Sequence, residues 1–287
     1  MNGIILVNKP KGITSRDVVN KLCKLFNTKK IGHTGTLDPI AEGIMIVCIG
    51  KATKLVEVLT SNDKEYIATV KLGILTDTLD TDGNIIKEKC INVNKEKLIE
   101  ILNSFVGEYD QEVPIYSAVK INGKKLYEYA REGKEIELPK KKVKIYDIEL
   151  LELNDKEYKF KVKVSKGTYI RSLIKDINDK LGIIGSMSNL IRTRQGKFNI
   201  EDSYTLDDIE NNNYKILSIT DVVKNEDSVI IDDALYKKIK NGSIIENKYN
   251  KDIINFIYHD EVVAIYKIYD KDNTKLKPFK MFIKEGE

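Results

Sequence analysis

Histidine is almost missing from this chain of 287 residues: His33 and His259 are its only two, and they lie far apart. That argues against a His-rich metal site and leaves a Ser-His-Asp triad few candidates. Cysteine is as scarce. Cys23, Cys48 and Cys90 are scattered and odd in number, so neither a disulfide framework nor a C-x-x-C metal knuckle is available. No apolar run approaches bilayer length, and the N-terminal MNGIILVNKPKG is too short and too soon polar for a signal peptide; a cytoplasmic location is the expectation. Arginine supplies only five of the 48 basic residues: Arg16, Arg131, Arg171, Arg192 and Arg194. In a chain that otherwise uses lysine, a retained arginine suggests a place needing a planar, permanently charged fork. Catalysis should then rest on carboxylate, phenol and guanidinium groups.

What is present describes an ordered globular chain, 41% hydrophobic and 32% charged. Its length suits one large domain and a smaller one. The net charge of +4 is unevenly spread: between Ile115 and Ile145 nine basic residues face four acidic ones. Such an excess suits a polyanion such as nucleic acid, although a merely solvated Lys/Glu face has the same composition.

GIILVNK (3–9) reads as a buried strand closed by the K-P-K-G turn. Thr14 or Ser15 can cap the helix that follows, with Val18, Val19, Leu22 and Leu25 at helical spacing. IMIVCIG (44–50) and KEYIATVKLG (64–73) read as strands, and Asp82-Gly83 as a hairpin tip. A calcium loop fails there, because with Gly83 at position six the first and twelfth positions are Thr78 and Lys89. Helices are expected near 95–105 and over 170–181, the second with Arg171 at its start. NNN at 211–213 marks a loose connection. From about Ser228 the pattern changes to one helix (233–242) and short β-prone runs, a small separate module.

One stretch needs explanation. HTGTLDPIAEGIMIV (33–47) confines a lone carboxylate, Asp38, between Leu37 and Pro39, with Gly35 and Gly43 nearby. Asp-Pro is a common turn former, and by itself the stretch decides nothing between a turn and a chemical group.

Five segments in fixed order supply the context: NKPKGITSRDVV, GHTGTLDPIAEGI with GKATK after it, KEYIATVKLGILTDTLDTDG, YSAVKINGKKLYEYAREG and SKGTYIRSL. Together they resemble the bacterial TruB-type tRNA pseudouridine-55 synthases, with a C-terminal module similar to the RNA-binding PUA domain. The resemblance implies an α+β fold: a mixed, mostly antiparallel central sheet with flanking helices. It places a catalytic domain at 1–225, with a basic tRNA-gripping insertion at about 115–145, and a PUA-like domain at 228–287. It implies isomerisation of one T-loop uridine to pseudouridine by a monomer on tRNA, with no cofactor, metal or obligatory protein partner.

Carried over by position, Asp38 is the essential aspartate, Tyr66 the tyrosine that stacks on the target base, and Arg171 the partner of the aspartate. His33 would wedge into the T-loop, while Asp80, Tyr169 and Leu190 would line the cleft. Lys9, Lys120, Lys124, Lys125, Arg131 and Arg192 are expected at the RNA. Ile191 stands where many relatives place a further arginine. In physical terms, Arg171 would oppose the neutralisation of Asp38 that burial favours, Pro39 would fix its backbone, and Gly35 and Gly43 would let backbone approach the nucleotide. Two other readings are a guide-RNA-dependent relative and a non-catalytic tRNA-binding or folding protein.

Overall fold

The structure, a computed structural model, describes residues 1–283; residues 284–287, the end of the expected 228–287 module, lie outside the described residues. The apolar run at the N-terminus forms β1 (Gly3–Lys9). Thr14 then caps α1 (Ser15–Leu25) in a reciprocal pairing with Asp17, satisfying two of the helix's free amides. Val18, Val19 and Leu22 are buried as their spacing requires, but Leu25 is exposed and the next residue, Phe26, packs inward instead. After β2 (Ile31–His33) and the Asp38 loop comes β3 (Ala41–Ile49). A 3-10 turn and α2 (Val56–Thr60) lead into β4 (Lys64–Leu72).

A small hairpin, β5 (Ile74–Thr76) with β6 (Ile85–Glu88), carries the Asp80 loop. Beyond it lie α3 (Lys95–Asn103) and β7 (Gly107–Glu112). The basic segment contains β8 (Lys120–Ile121), β9 (Lys124–Lys125) and α4 (Leu126–Arg131). The long β10 (Lys140–Leu153) follows, then β11 (Glu157–Val164), α5 (Ile170–Leu181) and β12 (Gly185–Gln195). The main sheet runs β1-β3-β12-β4-β11-β10-β7, with β2 and the short β13 (Phe198–Asn199) attached. Within it β12 and β3 pair in parallel; the remaining described pairs are antiparallel.

The core positions the site. Ile170, Leu173, Ile174 and Ile177 of α5 pack on Tyr66, Ala68 and Val70 of β4 and on Tyr158, Phe160 and Val162 of β11. Leu173 and Ile177 are 0% exposed; fully burying each stabilises the packing by roughly 1.5–3 kcal/mol. That fixes where α5 begins, and so where Arg171 sits.

The expected basic insertion proves shorter than 115–145. Lys140–Ile145 pair with Glu112–Gly107 in the sheet, and the Val113 amide donates to the Pro139 carbonyl at 3.0 Å. The arm therefore spans 113–139, and Lys140, Lys141, Lys142 and Lys144 belong to a sheet strand.

A second sheet is ordered β14-β16-β17-β18-β15, from β14 (Ser228–Ile230), β15 (Ile245–Glu246), β16 (Ile253–Tyr258), β17 (Glu261–Tyr269) and β18 (Asp272–Met281). One helix, Asp233–Lys240, covers it. It is the curled, β-rich module expected from the sequence. Ile257, Val262 and Ile265 share a core cluster with Ile4, Leu6 and Leu55, so the two sheets are joined by apolar packing. No helix among the described residues is long and apolar enough to cross a membrane.

Candidate active site

Asp38 sits on the loop between β2 and β3, and nearly every bond that holds this loop runs through its backbone. Ser15, the first residue of α1, takes the Leu37 amide at 2.8 Å and donates to the Leu37 carbonyl at 3.0 Å. The Gly12 amide donates to Pro39 O, and the Ala41 amide to Asp38 O. Lys9 Nζ donates to Ala41 O at 2.6 Å and to Pro10 O at 2.9 Å. Arg192 Nε and Nη2 donate to Ile44 O and Gly35 O. The loop is tied down through its backbone, and the Asp38 carboxylate is left for another partner.

That partner is Arg171. Its Nε lies 3.1 Å from Asp38 Oδ2, while Nη1 lies 3.8 Å from Asp80 Oδ2. Nη1 also donates to Thr78 O and Nη2 to Tyr116 O, each at 3.1 Å. One guanidinium thus ties together the Asp38 loop, the Asp80 loop and the root of the arm. The arginine and Asp80 side chains are 8% and 9% exposed, whereas that of Asp38 is 37% exposed. The reachable member of the cluster is the carboxylate proposed to act.

Arg171 also breaks a local rule. It lies in the first turn of α5, a turn with no acidic residue, where the helix dipole disfavours a cation. The two carboxylates facing it offset that cost. The usual side-chain cap is missing at Tyr169; instead Gln111 of β7 accepts from the Tyr169 amide at 2.7 Å and donates to its carbonyl at 3.1 Å.

The electrostatics follow burial. Asp80 is pushed above the usual carboxylate range mainly by burial, against the pull of the Thr78 hydroxyl and Arg171. Burial likewise raises the Tyr169 phenol. His33 is held below its ordinary value by burial, then by Arg192, which favours a neutral ring. Lys9 is pushed down to about 8 by burial, opposed chiefly by Asp38.

The wall beside this polar cluster is apolar: Tyr66, Leu37, Ile40 and Leu190 belong to one buried set. Leu190 pairs with Ala41 on one side and Ala68 on the other. His33 stands at the end of β2, half-buried, with Nδ1 buried and unpartnered.

Two residues expected at the RNA are elsewhere. Lys9 and Arg192 are 0% and 1% exposed and spend their donors on backbone carbonyls. The alternation of β12 explains Arg192. A bulge between Arg192 and Arg194 turns Arg192 to the buried face with Tyr66, while Arg194 points out to Asp63. Two nearby glycines pack against the same arginine. A Cβ on Gly43 (φ +106) would lie 2.4 Å from the Arg192 carbonyl oxygen, and one on Gly35 would lie 3.2 Å from Arg192 Nη1. The close approach they permit here is to Arg192 of β12.

On the arm, Lys120 and Arg131 are exposed. Lys124 and Lys125 lie over the rings of Tyr129 and Tyr127, and Lys124 is paired with Glu132.

Sequence reasoning missed Ser15, Gln111 and Gln195, whose amide binds Thr34 Oγ1 at 2.7 Å. For Ser15 there was a signal: the helix needs one cap, and Thr14-Ser15 offers two. The glutamines had none.

The chain is similar to known proteins along nearly its whole length. A family model described as the TruB family pseudouridylate synthase N-terminal domain matches residues 23–170, and one for the tRNA pseudouridylate synthase B C-terminal domain matches 171–227. The chain is 42% identical to a tRNA pseudouridine synthase B of Caldanaerobacter subterraneus subsp. tengcongensis, over 98% of this chain and 99% of that one. It is 38% identical to its namesake in Bacillus cereus, over 100% and 99%. Among solved structures it is similar to one of an H/ACA RNP bound to a substrate RNA containing 2'-deoxyuridine, with a TM-score of 0.74 at 27% identity, covering 99% of this chain and 86% of that one. A Cbf5-Nop10-Gar1 complex gives 0.72 at 29% identity, covering 99% and 84%.

Proposed function

The chain belongs to the TruB family of pseudouridylate synthases, and from that premise we propose that it converts uridine 55 in the T-loop of tRNA to pseudouridine, with Asp38 as the acting carboxylate. It is an isomerase of tRNA uridine, as its full-length relatives are named. The bond from ribose C1′ to N1 breaks, the base turns, and C1′ joins C5; the C5 proton leaves and N1 gains one, with no net redox change. Asp38 either attacks C1′ or takes a ribose proton. Both routes need it within reach of the sugar, and the guanidinium 3.1 Å away aims it there.

The observation that carries the reading is this pair at the rim of an apolar wall. Tyr66 and Leu190 offer faces for a uracil removed from its stack; stacking on an aromatic ring contributes about 1–3 kcal/mol, against an unstacking cost of a few kcal/mol. His33 takes the place that the base vacates. Lys120, Lys124, Lys125 and Arg131 on the arm bind phosphate without reading sequence, and loop shape supplies specificity.

The 1–225 segment acts as the catalytic domain and 228–287 as the PUA-like RNA-binding module. The enzyme works as a cytoplasmic monomer without guide RNA or protein partner. Two facts favour this over a guide-dependent role: the higher identity to the tRNA pseudouridine synthase B relatives than to the H/ACA chains, and the arm itself, which a stand-alone enzyme needs to grip tRNA. The test is to incubate the purified chain with a T-arm stem–loop RNA and nothing else, then map pseudouridine by mass. Modification at the position of uridine 55 is expected; unmodified RNA would refute the proposal.

A further inference from the structure

The helix that carries Arg171 starts without a cap of its own, and a strand supplies one. Tyr169 stands at the N-cap of α5, where serine, threonine, aspartate and asparagine are the usual residues. Its phenol lies near Arg171 and Asp38 instead. Gln111 of β7 takes over the capping. Its Oε1 accepts from the Tyr169 amide at 2.7 Å, and its Nε2 donates to the Tyr169 carbonyl at 3.1 Å. That carbonyl also accepts the first bond of the helix, from the Leu173 amide at 3.0 Å. Gln111 Nε2 further donates to the Tyr109 phenol at 2.6 Å, and that phenol faces Asp176, farther along α5. Gln111 is 1% exposed, so every one of these contacts is made within the protein.

The apolar face of α5 already holds the helix on the sheet through Leu173 and Ile177. Apolar burial is non-directional, however, and does not fix how the first turn is aimed. Two bonds from one side chain to the amide and the carbonyl of one residue do fix it. Arg171 projects two residues later, and its Nε lies 3.1 Å from Asp38 Oδ2.

We propose that Gln111 is a positioning residue for the reaction: by gripping the backbone at the start of α5, it sets where Arg171 projects and so where Arg171 holds Asp38. This rests on the pseudouridine synthase reading. Gln111→Met keeps the length of the side chain and removes its polar end. Single-turnover pseudouridine formation on saturating T-arm stem–loop should fall about tenfold, because small displacements of reacting groups are costly in rate. RNA affinity should stay within about twofold, since the side chain is buried. Gln111→Glu, which keeps an acceptor for the Tyr169 amide, should lose less.

The decisive comparison is a double-mutant cycle with Arg171→Lys, run below the lowest melting temperature of the set. A residue that only stabilised the fold would add its loss to that of R171K, whereas one that acts through Arg171 would not. Q111M should therefore cost about tenfold in the parent and less than twofold in the R171K background. Equal losses in the two backgrounds, or a Q111M rate within twofold of the parent, would overturn the inference. Where Q111M does not fold, Q111E in the same two backgrounds decides by the same comparison. A parent chain that makes no pseudouridine would instead refute the functional reading on which the inference rests.

Discussion

Arg171→Lys is the most demanding test of the site, because it keeps the charge and removes only the fork. The guanidinium bonds three separate acceptors, Asp38 Oδ2, Thr78 O and Tyr116 O, each at 3.1 Å. A single ammonium on a shorter stem can serve one of them. If it follows the carboxylate, two carbonyls inside an arginine-filled site lose their donor. A hydrogen bond contributes about 0.5–1.5 kcal/mol, and more where one partner is charged, so two lost bonds amount to roughly 2–3 kcal/mol. Taken as lost positioning of Asp38, that is about 30- to 150-fold in rate at 1.36 kcal/mol per decade. The assay is single-turnover pseudouridine formation on saturating T-arm stem–loop, below the variant's melting temperature, with RNA affinity measured separately. The rate should fall within that range and affinity by less than threefold. A rate within threefold of the parent would show that a point charge suffices and that the fork is not what aims the carboxylate.

Asp38→Asn is nearly isosteric and keeps every backbone bond of the loop; pseudouridine formation should disappear while tRNA binding by filter retention stays within a few-fold, and full turnover would refute the catalytic assignment. Lys9→Met removes a buried ammonium and leaves Ala41 O without its 2.6 Å donor, which loosens the base of the Asp38 loop, so turnover should fall. The pH dependence is sharper. Because burial lowers the folded-state value to about 8 from 10.5, the charged form is penalised below pH 8 and relieved as pH rises to 10.5. Parent stability measured against K9M by urea melts should therefore improve by up to about 3 kcal/mol over that window; a flat difference would refute it. Lys120→Ala and Arg131→Ala should each weaken tRNA binding and lower the slope of log affinity against log salt by about 0.7–0.9, and unchanged slopes would place the RNA off the arm.

What the sequence could show was local or in fixed order. The helix bearing Arg171 was legible over 170–181 because its apolar spacing is regular, and the structure ends it at the same residues. The pairing of Asp38 with Arg171 was not legible from periodicity; it came from a resemblance among five segments, and the 3.1 Å contact gives it a physical basis. Lys9 and Arg192 went astray because charge alone suggests exposure. The bulge that turns Arg192 inward leaves no mark in the residue pattern, since it depends on how β12 pairs with β4. Ser15–Leu37, Gln111–Tyr169 and Gln195–Thr34 bonds span 22, 58 and 161 residues, and a side chain bonding a distant backbone has no periodicity to detect.

The site is graded in burial and in bonding, and the grading has a chemical sense. Asp80 and Arg171 are buried and tied to carbonyls, hydroxyls and each other, while the more exposed Asp38 is held through its backbone and through one side-chain contact. An acid that must approach a sugar and then release product needs freedom at its tip. It cannot tolerate drift at its base, because a shift of about 1 Å can cost two orders of magnitude in rate. Locking the loop by Ser15, Lys9 and Arg192 while leaving the carboxylate on one guanidinium meets both needs. The same wiring explains why a cation is kept at a helix N-terminus that disfavours it. Moving the positive charge to a more comfortable position would cut the link between Asp38 and Tyr116 O at the root of the arm, and with it the route by which the proposed RNA-gripping arm can bear on the proposed reacting centre.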